Sequence, residues 1–256
     1  MSAATSTVRP WRPRPRLLAI VIYTWQSCFP PKRWAAILMP CAGALLFGLL
    51  ARVVQSSPDR AFARIAAEGI FGLVVPIAAL VIGDSVLGAE IRAGSFHFTW
   101  LSPTPTWQIV LGRWVGGSTV ALATIAPSAA LAAVVAGSPS SVWPAFAAAA
   151  VGSVAYVAVF IAIGCLTRRT AVWSLAFVFL FERLLGAALT GIAQLSPTWE
   201  SRGIFVGLLE DPPSRLHRDG IPEGGAAVLR LLIITVVLLL IANWRMRHIR
   251  LSGAAD

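Results

Sequence analysis

Few residues in this chain are of types that carry chemistry. Three histidines (His97, His217, His248), three cysteines (Cys28, Cys41, Cys165) and one lysine, Lys32, are scattered over 256 residues. Holding a metal takes His, Cys or carboxylates at short spacing, and the sequence has neither H-E-x-x-H nor C-x-x-C. Cradling a nucleotide phosphate in a P-loop takes Gly-Lys-Ser/Thr, whereas Lys32 follows Pro30-Pro31. A nucleophilic serine takes a base. Ser85, in Gly83-Asp84-Ser85, is followed by no D-x-x-H. No catalytic residue, metal or cofactor is therefore expected, and the cysteines read as apolar filler.

What stands out instead is charge in unusual company. Glu182 and Arg183 interrupt an otherwise apolar run, and Glu90 and Arg92 follow another. A charge facing lipid at mid-helix costs roughly 2.5–3.5 kcal/mol on insertion scales. Neighbouring helix residues point in different directions, so Glu182 and Arg183 are not simply a local pair. At least one should find a partner on another helix or line a wet pathway or subunit interface.

The elements that must position these charges are apolar helices. Hydrophobic residues make up 57% of the chain, charged residues 12%, and the mean hydropathy is +0.76, which points to an all-α polytopic membrane protein rather than a soluble one. Six spans are expected: Trp34 to Ala51, Glu68 to Leu87, Trp114 to Ala136, Val142 to Leu166, Ala171 to Leu195 and Ala226 to Trp244. Residues 1–15, with Arg9, Arg12 and Arg14 among prolines, read as a basic disordered tail. The apolar stretch from Arg16 to Phe29 is too short to span and is flanked by basic residues at both ends, so residues 16–33 suit a helix lying on the membrane surface.

With the amino terminus inside, thirteen basic residues fall in cytoplasmic segments, including the closing segment 245–256, and six fall outside. That imbalance sets both termini in the cytoplasm and accounts for the net charge of +10 without nucleic acid. Small residues recur along the third and fourth spans (Gly116, Gly117, Ala121; Ala147 to Ala150, Gly152), which suits close helix packing. The outer segment 196–225 carries five acids and reads as a solvent-exposed lid, with an apolar patch from Ile204 to Leu209.

The long cytoplasmic segment 84–113 is richer in Phe, Trp and Leu than a solvated connector needs, which suits a membrane-surface helix or a docking face. Its run of Glu90, Gly94-Ser95-Phe96, Leu101-Ser102-Pro103 and Ile109-Val110-Leu111-Gly112-Arg113 resembles the coupling segment of type-2 ATP-binding-cassette (ABC) exporter permeases. Arg113 stands where that family commonly has Lys. The resemblance extends to the architecture: an interfacial amino-terminal helix, six spans, a long segment before the last span and cytoplasmic termini. It implies a permease subunit of a bacterial plasma-membrane exporter, paired with itself or a sister permease. A separate cytoplasmic ATPase would drive transport, contacted at Glu90, Arg92, Gly94 and Ser95. The competing readings are a non-energised channel or secondary transporter and a membrane-embedded hydrolase. For a hydrolase built on Ser85, His217 would stand on the wrong side of the membrane.

Overall fold

The computed structural model describes residues 16–28, 34–54, 57–88, 90, 104–167 and 169–248. Of these, 88% are helical and none is in a strand, so the described part of the chain is all-α. The tail 1–15, residues 29–33, Arg92, Gly94, Ser95 and residues 249–256 lie outside the described residues.

The helices, in order, are α1 (Arg16–Cys28), α2 (Trp34–Val54), α3 (Pro58–Gly88), α4 (Thr106–Ala136), α5 (Val142–Leu166), α6 (Thr170–Ala188), α7 (Pro197–Leu208) and α8 (Gly225–Arg247). Five of them (α3, α4, α5, α6 and α8) are long and apolar enough to cross a membrane. In α2 the apolar stretch is the shorter Leu38–Val54.

The α5 bounds coincide with the expected span, but α3 and α4 are longer than expected. Helix α3 begins ten residues early, because Ser57 and Pro58 start a helical turn whose charges, Asp59, Arg60 and Arg64, had the look of a loop. Helix α6 is shorter than expected: Leu189 is extended (φ −123°, ψ 113°), and only a single turn, Thr190–Ala193, follows.

Helices α4 and α5 form the centre of the bundle. Helices α1, α2 and α5 pack on α4, while α3, α7 and α8 pack on α5. Glycine permits the closest approaches. A Cβ on Gly117 would lie 2.9 Å from methyls of both Val157 and Val86. Gly112 and Gly116, one turn apart on α4, would likewise collide with Ile20 and Thr24 of α1. At the turn between α4 and α5, Gly137 adopts φ +79° and closes α4 with N–H bonds to Ala133 and Val134 carbonyls. Ser140 then donates to Asp59 at 2.8 Å, and Ser138 donates to the same oxygen, tying this turn to the start of α3.

Burial is uneven. Two thirds (67%) of the apolar window of α5 is inside the fold, against 22% for α6 and α8, whose Leu, Val and Ile side chains face outward. Two long π-helical stretches interrupt the regular helices, Ala66–Val74 in α3 and Phe177–Leu185 in α6. The first runs up to Pro76, whose ring cannot share space with the carbonyl four residues back, so the backbone widens there. Both stretches contain charged residues.

The segment 196–225 is not a solvent-exposed lid along its first half. Helix α7 packs against α5 and α8 with Ile204, Phe205 and Val206 at 1% exposure or less. Phe205 sits between Phe62 and Phe71 of α3, with ring centroids 6.3 and 5.0 Å away. The aromatic contacts and the close seating of Ser201 on Gly152 draw α7 into the bundle despite its charges.

Candidate functional site

The charged residues gather at two levels of the bundle. The first lies where α3 ends and α4 begins. Glu90 follows the π-helical turn Asp84–Gly88, and Arg113 stands two turns into α4. Their ion pair is short and buried, with Arg113 Nη2 at 2.6 Å from Glu90 Oε2 and side chains 2% and 9% exposed. Arg113 Nη1 donates to the Val86 carbonyl at 2.6 Å, and its guanidinium lies 5.0 Å from the Tyr23 ring of α1. Burial, and then the neighbouring Glu90 carboxylate, push the Tyr23 phenol above its usual 10.0. One guanidinium thus joins α1, α3 and α4. At the same end Thr106 donates to Asn243 Oδ1 at 3.0 Å, joining the start of α4 to α8.

The second level is roughly 30 Å further along α3, at 1.5 Å per residue over the interval from Glu90 back to Glu68. Here Glu182 and Arg183 part company. Glu182 is fully buried, and its carboxylate accepts bonds from Tyr156 Oη of α5, Ser196 Oγ (2.7 Å), Thr198 N (3.2 Å) and Thr198 Oγ1 (3.2 Å). It therefore caps the N-terminus of α7, a task that the helix's own N-cap residue Ser196 leaves to it.

Arg183 turns the other way. It lies across Gly72 and pairs with Glu68 at 3.1 Å. Glu68 also holds Arg202 of α7 at 2.9 Å. Arg230 of α8 pairs with Glu200 of α7 at 3.4 Å.

Of the residues singled out in the sequence, the structure brings Glu90 to Arg113, and it separates Glu182 from Arg183. Ser85 donates to the Val81 carbonyl of its own helix, and His217 is engaged with Glu223 at 2.6 Å. Among the described residues no group of three or more His, Cys, Asp or Glu side chains could hold a metal ion. The arrangement joins separate helices through buried and shared charges. Sequence reading did not single out Tyr156, Thr198, Glu68 or Arg202 as partners, since each lies on a different helix from the charge it serves. No family model matches the chain, and no curated protein is significantly similar to it.

Proposed function

We propose that the chain is the transmembrane permease subunit of a type-2 ABC exporter, working with a second permease and driven by a separate cytoplasmic ATPase. The observation that carries this reading is the guanidinium of Arg113, bound to Glu90 and Val86 and lying near Tyr23. Glu90 and Arg113 fall on either side of the residues that resemble a coupling segment. A push on that segment from the cytoplasm would reach α1, α3 and α4 together, which is what coupling an ATPase to a helical pathway requires. On this reading Arg92, Gly94 and Ser95 meet the ATPase, and Glu90 acts just behind them by holding Arg113.

In the finer topology α2 is the first of six spans, α1 lies along the inner leaflet and both termini are cytoplasmic. The excess of Arg and Lys in the expected inner segments supports that orientation. The outward apolar flanks of α6 and α8 supply surface for lipid and for the second permease. The charges at Glu182 and Arg183 then fall toward the outer side, at the gate end of a pathway or a subunit interface.

Affinity purification of the tagged protein in mild detergent tests the reading. A P-loop ATPase should accompany it in stoichiometric amount and be lost with Glu90→Lys. Arg92→Glu, which alters neither member of the buried pair, should lose the ATPase with an unchanged melting temperature. A well-folded protein that brings no ATPase in several detergents points instead to a channel or secondary transporter. The observation favouring that alternative is the Glu182 carboxylate, buried without an ion pair among the described residues, as ion-coupling groups often are.

A further inference from the structure

We infer that a cleft beside Trp199, at the level of Glu68, binds the phosphate oxyanion of an anionic lipid headgroup. The cleft is lined by both charged and apolar side chains, Arg202 and Arg218 together with Val206, Leu216 and Ile221. Both guanidiniums lie over the Trp199 indole, 4.4 Å away for Arg202 and 4.1 Å for Arg218. Stacking holds a guanidinium by its face and leaves its N–H edge for a planar or tetrahedral oxyanion. Among the described residues Arg218 makes a single hydrogen bond, to the Ala187 carbonyl at 3.0 Å, which leaves most of its donors uncommitted there.

Charge at this place is unbalanced. The carboxylate of Glu68 is shared between Arg183 and Arg202, and Arg218 has no carboxylate partner among the described residues. Glu223 also lines the cleft, but it is taken up by His217. Three guanidiniums thus meet two carboxylates, and positive charge exceeds negative whether or not His217 is protonated. Burial holds the Arg202 guanidinium below its usual value, against the pull of Glu68, with Arg183 and Arg218 adding to the depression. An incoming anion would relieve that repulsion.

The depth of the cleft favours a lipid as the source of the anion. Glu90 and Glu68 are about 30 Å apart along α3, close to the hydrocarbon thickness of a bilayer. With Glu90 at one headgroup layer, Glu68 and Trp199 reach the other, and indole rings favour that layer. A free phosphate ion shares the oxyanion chemistry but makes no use of Val206, Leu216 and Ile221. The inference rests on the membrane part of the proposed function and needs no ATPase.

The test uses the full chain purified in a neutral detergent, with melting temperature and lipid retention in native mass spectrometry as readouts. The additions are phosphatidylglycerol, phosphatidylcholine or inorganic phosphate. Phosphatidylglycerol should be retained and should raise the melting temperature more than phosphatidylcholine does. Arg218→Gln should bind it about fivefold more weakly, the loss expected for one cation near a charged surface. Arg60→Gln, which removes an exposed arginine paired with Asp211 elsewhere, should bind as the parent does. Equal retention of the two lipids, or equal losses in the two variants, would overturn the site. If inorganic phosphate alone stabilises as well and displaces the lipid, the oxyanion site stands and its lipid source is overturned. Because ATPase recovery is a separate readout, either proposal can fail without the other.

Discussion

Tyr156 of α5 donates its phenolic hydrogen to Glu182 of α6 in the interior of the bundle, where the carboxylate has no ion pair among the described residues. Hydroxyls and one backbone N–H stabilise the carboxylate in place of a cation. Glu182→Ala should therefore leave Tyr156, Ser196 and the first turn of α7 without their acceptor and open a cavity, at a cost of roughly 3–5 kcal/mol. Glu182→Gln keeps the volume and one acceptor oxygen, and the hydroxyls can turn to accept from the new amide. Its cost should be about 1–2 kcal/mol. Unfolding curves in detergent compare the two, and equal losses would contradict this role of the carboxylate.

The pair of Glu90 and Arg113 should behave as one unit. Arg113→Ala removes the cation paired with a buried carboxylate, and breaking such a pair from one side typically costs about 3–5 kcal/mol. The double variant Glu90→Gln with Arg113→Met removes both charges and should regain a substantial part of that loss. Melting temperatures of the single and double variants check the expectation. A double variant that melts below Arg113→Ala would argue against a buried, charge-dependent contact.

Glu200 of α7, which lies outside the spanning segments, gives the protein a pH-dependent stability. Burial raises its carboxyl from the usual 4.5 to about 7, against the opposing charge of Arg230. One oxygen is 3.4 Å from Arg230, and the other is buried without a hydrogen-bond partner among the described residues. Between pH 4.5 and 7 the folded state holds this proton more tightly than the unfolded state does. Its contribution to stability is thus full below pH 4.5 and is lost as the pH rises through 7. Glu200→Gln should flatten that part of the melting profile between pH 5 and 8, and an unchanged slope would assign the dependence to another group.

Long helices were legible in the sequence because their apolar runs end at strong punctuation, as α5 does between the Gly137-Ser138-Pro139 turn and Thr167. The end of α6 was not. Leu189-Thr190-Gly191 is a weak breaker, and the chain leaves the helix there to bring Ser196 and Thr198 back to Glu182. Helix α7 looked solvent-seeking because of its charges, yet Glu200 and Arg202 are each paired with a distant helix, through Arg230 of α8 and Glu68 of α3. Helical periodicity reports which face of a helix is apolar, and it carries nothing about such long-range pairing. The separate fates of Glu182 and Arg183 were legible in outline, since adjacent helix positions diverge, while their partners were not.

The pairing of Glu68 also bears on how the protein is made. Its partner Arg183 is encoded 115 residues later, with Arg202 later still, whereas Arg113 follows Glu90 by only 23. At about 5–20 residues per second, the Glu90 end of α3 finds its countercharge within roughly 1–5 s of synthesis, and Glu68 waits roughly 6–25 s. The Glu90 end of the nascent helix can therefore be neutralised early, while the Glu68 carboxylate, ten residues in from Pro58, still waits for its partners.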